Sequence, residues 1–138
     1  MGGAVRRVSV LLLVAGLAGC CPAVWQAYPG PARPSSEIAR ITVVVPEVRI
    51  HAVDGEPTMC LRDTPARAVE VSAGEHEVEV RWYRPSTEFA VGYEGAALLP
   101  VHAMAGSSYE ISAREGSRGV SFLLLDAASG QVLSSVGP

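Results

Sequence analysis

The strongest regularity along this chain is an alternation of apolar and polar residues with a period of two. Val69 and Val71 alternate with Glu70 and Ser72; after Ala73-Gly74-Glu75, Val78, Val80 and Trp82 alternate with Glu77, Glu79 and Arg81. Successive side chains of an extended chain point to opposite faces, so each run predicts a strand with one face in a core and one in water. Gly74 can supply the positive φ of a tight connection, which makes the pair a hairpin. Upstream, Ile41–Val45 is a β-branched run that Pro46 interrupts, and Val48, Ile50 and Ala52 alternate with Arg49 and His51 up to an Asp54-Gly55 turn. Downstream, strands are predicted over 97–103, 109–113, 120–125 and 131–136. The unbroken apolar run 120–125 reads as a strand buried on both faces. Loops are predicted over 56–66 and 84–95, and a single helical turn over 35–40 capped by Ser35 or Ser36. Seven or eight strands spaced roughly every ten residues, with no βαβ alternation, predict an all-β fold, a small antiparallel β-sandwich or partly open barrel.

The first segment has a different pattern. Val8 to Ala18 is apolar except for Ser9 and follows Arg6 and Arg7. It matches an export signal and falls well short of the ~20 residues a helix needs to cross a bilayer. It closes on Leu17-Ala18-Gly19-Cys20, which resembles the lipobox of bacterial lipoproteins. That resemblance implies a signal peptide at 1–19, a lipidated first residue at Cys20 and attachment to a membrane outside the cytoplasm. It also implies at least two acyl chains on Cys20, enough for stable anchoring. Cys21 follows where inner-membrane lipoproteins often carry Asp, which leans towards the outer membrane, facing the periplasm. Residues 20–34 then form a tether rich in proline (Pro22, Pro29, Pro31, Pro34), leaving a domain over 35–138. A polyproline II tether of this length would reach ~40 Å. Trp25 and Tyr28 interrupt it, and either rest at the membrane interface or fold back on the domain.

Composition narrows the possibilities further. Removing 19 of 138 residues leaves 119, sufficient for one domain with its own core. Loss of Arg6 and Arg7 takes the net charge from −3 to −5. An acidic chain argues against nucleic acid and against broad docking on anionic lipid head groups. An oxidising compartment permits a Cys21–Cys60 disulfide; the alternative is a buried free thiol at Cys60. No CxxC is present, and His51, His76 and His102 lack the local spacing of a zinc site, so no metal or cofactor is expected. No GxSxG occurs, the serines cluster in turns, and Glu77 and Glu79 read as an exposed strand face. A non-catalytic protein is therefore expected. Tyr83, Phe89 and Tyr93 lie in or beside the 84–95 loop. They are candidates for stacking on a sugar ring or anchoring a protein partner, or they form a lid over the core.

Two segments carry a second resemblance. Val53-Asp54-Gly55, a loop, and then Val71-Ser72-Ala73-Gly74-Glu75-His76-Glu77-Val78-Glu79-Val80 resemble the "VDG … PGxHxVxV" signature of PEGA-like β domains, with Ala73 where those domains usually have proline. Ala105 to Ile111, Leu125 to Val132 and the Tyr28-Pro29-Gly30-Pro31 linker are similar to small bacterial envelope lipoproteins with one such domain. The resemblance implies a compact β-sandwich acting as a structural or protein-interaction module, with no catalytic residues to carry over. A carbohydrate- or peptidoglycan-binding module using Tyr83, Phe89 and Tyr93 is the alternative.

Overall fold

The computed structural model describes residues 23–58, 65–85 and 91–138, without the side chains of 84–85 and 91–94. Ten strands run in chain order: β1 (Trp25–Gln26), β2 (Ile38–Val43), β3 (Val48–Val53), β4 (Glu56–Pro57), β5 (Ala68–Ser72), β6 (Gly74–Pro85), β7 (Val91–Ala103), β8 (Ser108–Gly116), β9 (Gly119–Asp126) and β10 (Val132–Val136). They form a six-stranded sheet in the order β1-β5-β2-β8-β9-β10 and a four-stranded sheet in the order β4-β3-β6-β7. The all-β expectation holds. Eight of these strands match the predicted segments, and the two extra ones are two-residue pairings too short to leave a periodic signal.

Alternation explains the packing. Val69, Val71, Val78 and Val80 are fully buried, and Ile41, Ile50, Leu99, Val101, Ile111 and Phe122 join them in one cluster drawn from both sheets. Burying each of these side chains contributes about 1.5–3 kcal/mol, an upper estimate because the unfolded chain already hides some of that surface. The predicted hairpin over 69–82 is not one: β5 lies between β1 and β2 in the six-stranded sheet and β6 between β3 and β7 in the four-stranded sheet, so the turn at Gly74, whose φ of 132° is open only to glycine, carries the chain from one sheet to the other.

Several expectations are corrected. The sheets are not wholly antiparallel: β2 pairs in parallel with β8, placing Ile41 beside Tyr109 and Val43 beside Ile111, and β1 pairs in parallel with β5. β2 thus has an antiparallel neighbour, β5, on one side and a parallel one, β8, on the other. The 84–95 segment is not a loop throughout. β6 and β7 continue past Trp82 to a Pro85–Val91 pair, with a bulge between Trp82 and Tyr83 absorbing the irregularity. Ser35–Glu37 is a turn rather than a helical turn, and β2 starts at Ile38, where Ile38 and Ala39 are already buried. In β9 only Phe122 and Leu124 are buried; Leu123 and Leu125 on the other face are half-exposed. Glu56 and Pro57 of the predicted 56–66 loop pair with β3. Buried Thr58 bonds the Ile50 carbonyl (2.5 Å) and receives the Ala66 amide (3.4 Å), tying both ends of that segment to one strand.

The proline-rich stretch is not an extended spacer along its whole length. Trp25 and Gln26 pair with Val69 and Glu70, and the Ala27 amide donates to the Glu70 carbonyl at 2.8 Å. Tyr28 is buried, its hydroxyl accepts the Arg33 amide at 3.1 Å, and the Arg33 guanidinium lies 4.9 Å above its ring. Gln26 Nε2 donates to the carbonyls of Tyr28 and Gly30. Both aromatics therefore fold back on the domain.

Candidate functional site

A cleft opens where the outer strand of each sheet meets the other, along β7 and β10. Its floor is Tyr109 and Leu124, both buried, and its volume is about 460 Å³. Alternation on β8 and β9 puts those two side chains inward, and the Tyr109 hydroxyl ties the floor to β7 by accepting the Met104 amide (3.0 Å) and donating to the His102 carbonyl (3.2 Å). One wall is held by Ser134 Oγ donating to the Pro100 carbonyl at 3.3 Å. The rim carries Met104, 61% exposed, and Leu133, 47% exposed.

The rim is acidic. Glu75 bonds His102 Nδ1 at 2.5 Å, with both side chains exposed. Asp126 opens the turn into β10 and accepts from the Ser129 amide (2.9 Å) and hydroxyl (2.6 Å). Those bonds hold its carboxyl below the ordinary carboxylate value, so it stays ionised. No arginine lines the cleft among the described residues.

The three histidines occupy separate places. The His51 ring stacks with Tyr83 at 6.1 Å between centroids and is hydrogen-bonded to its hydroxyl. Burial, then the charge of Arg81, lowers the His51 pKa, so the neutral ring accepts the phenol proton. His76 Nδ1 lies 2.6 Å from Asp54 Oδ2 and Nε2 lies 2.7 Å from the Ser72 carbonyl. Burial alone would raise the Asp54 pKa; the Glu77 amide and the His76 ring outweigh it and hold it below the usual value. Through these two contacts His76 bridges the Asp54-Gly55 turn and the β5–β6 turn. His102 belongs to the cleft rim. No cluster of three metal-ligating residues occurs among the described residues.

Of the predicted site residues, the structure describes the backbone positions of Tyr83 and Tyr93. Tyr83 lies on β6, paired in register with Tyr93 on β7. Phe89, Cys20, Cys21 and Cys60 lie outside the described residues. Sequence reasoning missed the cleft, which draws on segments more than 30 positions apart. The only local hint was Met104, an apolar residue just before the Ala105-Gly106 turn. The chain matches no protein-family model, no curated protein and no solved structure.

Proposed function

We propose that this protein is a lipid-anchored component of a bacterial envelope whose β domain serves as a structural or protein-interaction module and catalyses no reaction. The observation that carries the reading is the placing of Leu17-Ala18-Gly19-Cys20, after an export-type apolar run, only five positions ahead of the first strand of the sheet. Such a chain is an anchor and a folded body with almost nothing between them. The PEGA-like pattern around Asp54-Gly55 and Gly74 supports the same assignment, and Cys21 favours the outer membrane, facing the periplasm. Metabolic labelling with a palmitate analogue tests the anchor. Label is expected on the wild-type chain and absent from Cys20→Ser, which should also retain its signal peptide; label on both variants would refute it. Crosslinking in intact cells tests the interaction role and should recover a protein neighbour; adducts no more frequent than background would count against it.

The Tyr83–Tyr93 register supports a second reading, a carbohydrate- or peptidoglycan-binding module on the outer face of β6 and β7. Sedimentation with purified sacculi separates the two. Equal retention of the wild type and a Tyr83→Ala/Phe89→Ala/Tyr93→Ala variant would remove the second reading.

A further inference from the structure

The described residues include five large apolar side chains that are strongly exposed: Val44, Leu98, Met104, Val132 and Leu133. All but Val44 lie on β7, just after it, or on β10. Met104 and Leu133 line the cleft, and exposed apolar side chains beside an open cleft with a polar rim mark a surface that is covered in use. Met104 adds an unbranched, polarisable side chain that adapts to what it meets.

The cleft also lies on the side of the domain away from the anchor. β1 and β10 are the two outer strands of the six-stranded sheet, about 24 Å apart at the usual strand spacing. Cys20 precedes Trp25 by five positions, so the anchor reaches no more than about 18 Å from β1. A tether that short stays within reach of the β1 edge and falls short of the β10 edge, where the cleft lies. A lipid surface is a poor occupant for a second reason: Glu75 and Asp126, which line the cleft, would meet anionic head groups with like charge. Those carboxylates instead complement a cationic partner.

We propose that the β7–β10 cleft is the docking surface of this domain, and that it takes a protein segment carrying an apolar side chain beside lysine or arginine. The inference rests on the reading of the domain as an interaction module and adds the place and the chemistry. The apolar side chain enters between Met104 and Leu133 over Tyr109 and Leu124, and the cation reaches Glu75 or Asp126. Pro100 has no amide to offer on β7, so side chains rather than an added strand carry the recognition.

The test uses the full mature lipidated chain in phosphatidylcholine nanodiscs, titrated with capped heptapeptides in which leucine alternates with lysine, leucine with glutamate, or serine with lysine. The leucine–lysine peptide should shift the amide resonances of Met104, Ser107 and Leu133 saturably, and the other two should bind at least about tenfold more weakly. Leu133→Ser and Glu75→Gln, both at exposed positions, should each weaken binding by about fivefold or more while the remaining spectrum stays native. No cleft shifts at millimolar peptide, shifts centred elsewhere, or equal binding of the glutamate peptide would overturn the proposal. A photo-crosslinking residue placed in cells at Leu133 or at Glu56, on the opposite edge, separates the two levels of the argument. Adducts at Glu56 alone overturn the cleft and leave the interaction module standing. Adducts at neither position remove both.

Discussion

Replacing Tyr28 by alanine should release the linker without unfolding the domain. Tyr28 is 7% exposed, and its ring, its hydroxyl and the Arg33 guanidinium form the one buried hold on the chain between Pro29 and Pro34 among the described contacts. Large-to-small substitution of a buried aromatic costs about 3–5 kcal/mol in a full core. Tyr28 sits at the edge of the six-stranded sheet, where its surroundings can close in, so the low end, about 3 kcal/mol, applies. The Trp25–Gln26 pairing offers only a few backbone bonds, each contributing about 1 kcal/mol net, and cannot hold the strand alone. The opening free energy of β1 should therefore fall by about 3 kcal/mol, which speeds exchange of the Ala27 amide by about a hundredfold. Hydrogen exchange on the full chain reads this directly at Ala27, with the Val78 and Val80 amides as internal controls. Tyr28→Phe keeps the ring and loses the bond to the Arg33 amide, so its effect should be nearer 1 kcal/mol. Ala27 exchange unchanged in Tyr28→Ala, or an equal acceleration at Val80, would refute the view of the linker as a separate latch.

Three further predictions concern other sites. Asp54→Asn should flatten the acid limb of stability: the native pKa is held below its ordinary value, so the contribution is complete above about pH 4 and is lost as pH falls through the lowered value. Thermal denaturation of both proteins from pH 2 to 7 checks this, and parallel acid limbs would contradict it. Thr58→Val keeps the shape but leaves the buried Ile50 carbonyl and Ala66 amide short of a partner, and should cost about 1–3 kcal/mol in urea unfolding. Gly137→Ala should loosen the β9–β10 edge by about 1–3 kcal/mol, because φ is 118° and a Cβ would stand 2.6 Å from the Val120 carbonyl oxygen. Faster exchange confined to the Val136 and Phe122 amides is the expected signature.

The parts of the fold written locally were legible. The Val69–Trp82 alternation gave both strands and the turn between them, because burial of every second residue is a property of the strand itself, but not their partners: the same alternation suits a hairpin and a crossing between two sheets, and the structure has the crossing. The parallel β2–β8 pairing was not legible, since nothing near Ile41 specifies which distant strand lies beside it. Pro85, Gly92 and Gly95 read as loop residues, yet pairing along the long β6–β7 hairpin overrode them. In the linker, proline content masked a two-residue strand, although Trp25 and Tyr28 were there as aromatic hints. The acidic rim escaped for a related reason: Glu75 and Asp126 are unremarkable in sequence and line one cleft only because the edges of two different sheets meet there. The net charge of −5 expected after processing averages over that arrangement and reveals none of it.

The position of β2 also bears on how the molecule is assembled. It joins β1 and β5 on one side to β8, β9 and β10 on the other, through pairs such as Arg40–Ser108, 68 positions apart. Closing so long a loop is entropically costly and slow compared with forming a hairpin. A nascent chain that has reached only Ala103 can pair β2 with β5 and β6 with β3 and β7, but leaves one side of β2 with no strand to bond. That open edge is a template for misassociation until the last quarter of the polypeptide arrives. Synthesis of the C-terminal strands, rather than collapse of the first ones, therefore sets when this protein becomes safe from aggregation.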